Sequence, residues 1–161
     1  MRVALLGLSM LVLSGCGVVT KTAAESVNTA EKPLAVQASD PATPQEVYAW
    51  INNNIRYQVN DEYMPAEKTL ALGYGDCNDM AILADYMLKK HGYTSEVLDV
   101  YTASVGHTVC VWKDSTGKYN HLSNKTIREI HSNTLTEIAQ DVYADWTVCV
   151  TYPDNIAIKR Q

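Results

Sequence analysis

The sequence has no phenylalanine at all; ten tyrosines and three tryptophans supply its aromatic side chains. Nothing in the composition gives a physical reason for that. It also has no excess of positive charge: thirteen Lys and Arg stand against eighteen Asp and Glu, for a net charge of −5. The two signs are interspersed, so the chain lacks the basic footprint of a nucleic-acid-binding protein. The acidic balance favours solubility and names no partner. No apolar run reaches bilayer-spanning length, since the longest, Val3 to Leu13, is far too short. His121 and His131 have no zinc-ligand spacing with any Cys or carboxylate, which argues against a metal site, and no feature calls for a cofactor. There is no internal repeat. At 161 residues, with ordinary apolar (47%) and charged (19%) fractions, the chain has room for one globular domain.

What is present begins with an N-terminal address. Arg2 is a minimal positive n-region, and the apolar run after it closes on Leu13-Ser14-Gly15-Cys16. This string resembles the lipobox of bacterial lipoproteins, in which the cysteine is acylated and becomes the mature N-terminus. The alternative is an ordinary signal peptide whose cleavage site happens to precede a cysteine. The resemblance implies a signal peptide over residues 1–15 and a lipidated, palmitate-bearing Cys16. Because Gly17 rather than Asp follows, it also implies sorting to the outer membrane, facing the periplasm. An acyl anchor needs no spanning helix. With Cys16 set aside, Cys77, Cys110 and Cys149 remain, an odd number in an oxidising compartment, so at least one thiol is free or pairs between molecules.

Residues 16–40 carry no aromatic side chain and read as a flexible tether. About two dozen such residues reach roughly 25–30 Å, enough to hold a domain clear of the lipid. The domain, residues 41–161, opens with a helix start: Thr43 as N-cap, Pro44 at the first helical position, Glu46 closing a capping box, then Val47, Trp50 and Ile51 on one stripe. Asn52 to Asn54 end that helix. Asp61 to Leu72, with Pro65 and no clear period, reads as a loop with at most a turn of helix. A second helix starts at Asp76, with Asp79 completing an acidic capping box, and carries Met80, Ala81, Ala84, Met87 and Leu88 inward until His91-Gly92. Strands are expected at 96–102, 108–113 and 119–122, the last two joined by the Asp114-Ser115-Thr116-Gly117 turn. A short helix follows over 134–141 and a strand over 146–152. Helices first and strands afterwards predict an α+β fold with an antiparallel sheet.

Cys77 is the first residue of the second helix, where the helix N-terminus favours a thiolate, and it lies on the inward stripe. Asp76 and Asp79 are better explained as caps than as acid–base groups. His107 follows Gly106 at a strand start and shares a strand face with Val109 and Val111, while Cys110 and Trp112 take the other. Taken alone, such a histidine is more often structural than catalytic. Cys110 and Cys149 sit in apolar strands, as buried thiols or as a disulfide pair. His91 reads as a partner for a helix C-terminus, and the tryptophans as core residues.

Gly75-Asp76-Cys77-Asn78-Asp79-Met80-Ala81, the helix ending at Gly92-Tyr93, and Gly106-His107 opening a strand resemble the transglutaminase-like superfamily, which has the papain-like cysteine fold. The resemblance spans about Thr43 to Asn124. It implies N-terminal helices packed on an antiparallel sheet, Cys77 as nucleophile and His107 as general base. The family places an aromatic residue and then Asp on the following strand. Here Tyr119 takes the aromatic position and Ser123 the acid's, with Asn124 next; Asn124 is the expected orienting residue and Ser123 the second choice. The function implied is a membrane-anchored cysteine hydrolase, protease or amidase, acting by acyl transfer on a protein or peptide. The alternative is an inactive binding module of the same fold, and a third reading makes Cys77 a plain core thiol.

Overall fold

In the computed structural model, residues 40–152 and 154–160 are described. The signal peptide, Cys16 and all of the tether but its last residue lie outside the described residues. Thr43 caps α1 (Pro44–Asn54) through the capping box read from the sequence, and Val47, Trp50 and Ile51 form its buried stripe. The chain then makes a short parallel pair, β1 (Arg56–Tyr57) with β2 (Tyr74–Gly75). Between them lies α2 (Ala66–Leu72), in the segment expected to be mostly loop. Pro65 stands in extended backbone at the N-cap position without a side-chain cap bond, and Gly73, at φ 67°, supplies a left-handed C-cap.

The helix α3 (Cys77–Lys90) is bounded as predicted. Asp76 accepts from the N–H groups of Asn78 and Asp79, and Asp79 accepts in return from Asp76. Met80, Ala81, Leu83, Ala84, Met87 and Leu88 bury its inner face. A six-stranded sheet follows, formed by β3 (Ser95–Tyr101), β4 (Gly106–Lys113), β5 (Tyr119–Ser123), β6 (Thr126–Ser132), β7 (Val148–Tyr152) and β8 (Ala157–Lys159). Its order is β6-β5-β4-β3-β7-β8, and every neighbouring pair is antiparallel. One further helix, α4 (Leu135–Val142), is capped by Thr134. The fold is thus α+β, with helices packed on an antiparallel sheet.

Strand alternation divides the interior in two. Val97, Cys110, Trp112 and Leu122 join Trp50 and the inner faces of α1 and α3. Leu98, Val100, Val109, Val111 and Cys149 join Ile138, Ala139 and Trp146 on the face covered by α4. All three tryptophans are core residues, as expected. The same alternation rules out a Cys110–Cys149 disulfide. On the intervening β3, Cys110 pairs with Val97 and Cys149 with Val100, positions on opposite faces, and all three described cysteines are free thiols.

The start of α3 is fixed by Asp79, whose side chain is fully buried. Its carboxylate accepts from the Met64 N–H at 2.8 Å, the Asp76 N–H at 3.0 Å and the side-chain amide of Asn60. Gly75 allows that approach: a Cβ there would lie 2.5 Å from Asp79 Cβ. Asp79→Ala would strand two buried backbone donors and is expected to cost about 2–3 kcal/mol, read as a lower urea midpoint. Gly75→Ala should shift the midpoint in the same direction; an unchanged midpoint for both would show that this carboxylate does not hold the helix start.

Candidate functional site

Cys77 is half-buried at the first position of α3. The neighbouring carboxylates are committed to backbone: Asp76 Oδ1 accepts from Asn78 N–H at 3.0 Å and from Asp79 N–H at 3.4 Å. They act as caps, as the sequence indicates. The Cys77 sulfur lies 3.7 Å from the side-chain amide of Asn78. Two phenols feel the charge of the thiol. Burial first, and then Cys77, push both Tyr57 and Tyr101 upward, with Asp99 ahead of Cys77 for Tyr101.

His107 is the second residue of β4 and pairs with Val100. Gly106 before it lies under the Tyr101 ring, where a Cβ would come within 2.7 Å of Cδ1. The imidazole Nε2 is 2.8 Å from Ser123 Oγ, and the ring meets Tyr143 edge-on with centroids 6.4 Å apart. Burial, and secondarily the nearby His121, hold His107 below its ordinary value of 6.5. The imidazole is therefore neutral at neutral pH and able to accept a proton. With Nε2 engaged by Ser123, that proton would go to Nδ1, which has no hydrogen-bond partner among the described residues.

The third position corrects the sequence expectation. Ser123, the last residue of β5, is the residue that reaches His107. Asn124 occupies the left-handed turn, at φ 49°, of the two-residue connection between Ser123 and Thr126, and its side-chain oxygen is buried without a partner. An asparagine tolerates that backbone, and its side chain makes no hydrogen bond to the imidazole among the described residues.

Beside this cluster lies a set of residues the sequence reading passed over. Thr108, on the opposite strand face to His107, hydrogen-bonds the Asn78 side chain of α3 and Asp99 Oδ1 of β3, the latter at 2.6 Å. The residues next to Cys77 and His107 are thus tied together, and the starts of α3 and β4 are held side by side. No hydrogen bond joins the Cys77 sulfur to His107 among the described residues. A charged residue inside the apolar run Val97-Leu98-Asp99-Val100 was the available signal for Asp99.

His121 was also missed as a buried polar residue. It shares the His107 face of the sheet, donates from Nε2 to Asp141 Oδ2 at 2.8 Å, and its Nδ1 is buried without a partner. Arg128 completes the group with bonds of 2.7 and 3.1 Å to Asp141. The remaining histidines, His91 with Asp40 and His131 with Asp114, form surface pairs. No group of three His, Cys, Asp or Glu side chains that could hold a metal occurs among the described residues.

Over residues 21–127 the chain matches the family model of the transglutaminase-like superfamily. Among solved structures it is similar to Legionella pneumophila LapG, with a TM-score of 0.53 and 13% identity over 76% of this chain and 70% of that one. For calcium-bound Legionella pneumophila LapG the TM-score is 0.51, again at 13% identity, over 73% and 70%. Likeness at that identity shows the fold. No curated protein matches the chain.

The buried histidines make the fold sensitive to acid. Burial lowers both His107 and His121 below 6.5, so between 6.5 and those lowered values the unfolded chain binds more protons than the native one. Their contribution is complete above 6.5 and is lost as pH falls through that window. Asp141, held down to about 2 by its bond from Arg128 first, contributes above 3.8 and fails only near pH 2. The urea midpoint is expected to drop between pH 7 and pH 5, and the double variant His107→Asn, His121→Asn to show a flatter fall. Equal slopes for the two proteins would contradict this assignment.

Proposed function

Because the chain belongs to the transglutaminase-like superfamily, we propose that it is a cysteine hydrolase of the cell envelope, a protease or amidase, with Cys77 as nucleophile, His107 as general base and Ser123 as the group that orients the imidazole. The observation that carries this reading is the 2.8 Å bond from His107 Nε2 to Ser123. It leaves Nδ1 without a hydrogen-bond partner among the described residues, on a strand whose first residues are tied to the first turn of the cysteine helix.

The chemistry is acyl transfer to a peptide or side-chain carboxamide. The thiol proton passes to His107 Nδ1 as Sγ bonds to the carbonyl carbon, and the backbone N–H of Cys77 faces the developing oxyanion. Collapse breaks the C–N bond, and the imidazolium returns its proton to the leaving amine. Water, activated by the same nitrogen, then hydrolyses the thioester. Thiol and imidazole come into hydrogen-bond contact in this scheme when substrate is bound, since such bonds often tighten only in the complex. The N-terminal Leu13-Ser14-Gly15-Cys16 string supports a lipid anchor at Cys16 and an outer-membrane site facing the periplasm. Hydrolysis is favoured over cross-linking because nothing in the sequence marks a site for an acceptor amine.

A second reading, a binding module that has lost catalysis, is favoured by the hydroxyl where the family has a carboxylate. A serine orients the ring but leaves an imidazolium without a counter-charge.

Alkylation of Cys77 by iodoacetamide, mapped by peptide mass in the full chain, separates the two. Cys110 and Cys149 are fully buried and report on unfolding. Rapid labelling below pH 7 that weakens in His107→Ala supports the hydrolase; labelling indifferent to His107 supports the binding module. Ser123→Asp is expected to raise the rate at pH 6 by about ten-fold, the effect of one pKa unit on the pair. Cys16→Ser should move the protein from the membrane to the soluble fraction and abolish palmitate labelling; retention in the membrane would exclude the anchor.

A further inference from the structure

Thr108 has one hydroxyl proton and two neighbours in hydrogen-bond contact with its oxygen, the Asp99 carboxylate and the side chain of Asn78. Asp99 accepts at Oδ2 from the Tyr63 hydroxyl at 3.2 Å and from the Tyr101 hydroxyl at 3.4 Å. Burial first, and then the charge of Asp99, push both phenols upward, so each keeps its proton and remains a donor. A carboxylate that gathers hydroxyl donors on both oxygens is an acceptor toward Thr108 as well. The threonine proton therefore goes to Asp99 Oδ1, and only the lone pairs of Thr108 face Asn78.

Two lone-pair atoms in contact repel. A half-turn of the Asn78 carboxamide exchanges its oxygen and nitrogen without moving any other group. In the turned orientation one amide N–H donates to Thr108 Oγ1, and the Cys77 sulfur, 3.7 Å from the same atom, faces an N–H instead of an oxygen. The direction of every bond then follows from Asp99: tyrosine and threonine protons point toward the carboxylate, and the amide N–H of Asn78 points toward threonine and sulfur.

We infer that Asn78 is a positioning residue whose side-chain N–H, turned toward Cys77 by the Asp99–Thr108 relay, stabilises the Cys77 thiolate.

The relay is local to the thiol, while His107 lies on the other face of β4 from Thr108. Among the described residues, Asp76 and Asp79 lie at the helix start of Cys77, and Tyr57 from β1 and Tyr101 from β3 lie within its electrostatic reach. Both carboxylates oppose a thiolate. An N–H donor at the sulfur offsets them without adding net charge. The inference deepens the reading of Cys77 as nucleophile and rests on it for the use made of the thiolate.

The test is the pH profile of Cys77 alkylation in the full chain, with no substrate needed. Asn78→Ala and Thr108→Val, neither of which changes charge, are each expected to move the profile to higher pH and to cut the rate at pH 7 several-fold. Thr108→Ser, which keeps the hydroxyl, should restore the native profile. A variant that unfolds is recognised by labelling of the buried Cys110, and the native protein then supplies the second measurement. Its Asn78 side-chain 15N–1H resonances should titrate with the same midpoint as Cys77 alkylation. Profiles unchanged in both variants, or Asn78 resonances indifferent to that midpoint, would overturn the inference. A thiol that depends on Asn78 in a protein that hydrolyses nothing would leave the inference standing and remove the hydrolase. Hydrolysis by a thiol indifferent to Asn78 would do the reverse.

Discussion

The carboxylate of Asp79 lies wholly out of solvent and accepts from three N–H groups, one on its own helix cap and two on the loop that carries Asn60 and Met64. A buried carboxylate persists only when it is hydrogen-bonded, and both oxygens here accept. The arrangement fixes three things together: where α3 begins, how the 60–64 loop crosses it, and the absence of a side chain at residue 75, since any Cβ there would strike Asp79. Cys77 is placed by that constraint. Its position at the first turn follows from the cap, so the dipole of α3 and the backbone N–H at the helix start reach it without further specification.

A second constraint is the sheet's alternation, which sorts the polar groups as strictly as it sorts the two cores. On the face toward α4 lie His107, His121 and Ser123, backed by Asp141 and Arg128. On the face toward α3 lie Thr108 and Asp99, in contact with Asn78. The groups able to move a proton and the groups able to stabilise a sulfur anion thus occupy opposite sides of β4 and are adjacent in sequence. A shift of one residue in the β3–β4 register would exchange them, which ties the chemistry to the pairing of Val97 with Cys110 and Val100 with His107.

Much of this was legible from residue order, because local rules govern it. Thr43-Pro44-Gln45-Glu46 and Asp76 to Asp79 are helix starts whose hydrogen bonds close within four residues, and both formed as read. The inward stripe of α3 and the opposite faces of His107 and Cys110 follow from the periods of helix and strand. What escaped depends on distant partners. The strand at 126–132 alternates weakly, with exposed residues on both sides, and exists because β5 pairs with it. The 66–72 helix is seven residues long and held by its end residues. At the site, the choice between Ser123 and Asn124 turned on the backbone of one residue: the positive φ of Asn124 begins a turn, and a sequence cannot show where a strand stops to within one position.

The serine at the acid position bears on how the domain distributes charge. In a pair that forms thiolate and imidazolium, a carboxylate on the imidazole stabilises the cation, and its loss shifts the proton back to sulfur. Here the carboxylates stand elsewhere, the buried Asp99 on the thiol side and the exposed Asp141 behind His121. Asp99 cannot neutralise His107, because strand alternation sets the two side chains on opposite faces. It can only act through hydroxyl protons it orients, and the chain of Thr108 and Asn78 ends at the sulfur. On the inference that the Asn78 amide turns its N–H to the sulfur, a neutral donor whose direction Asp99 sets would stand on the cysteine side where no carboxylate stands on the histidine side.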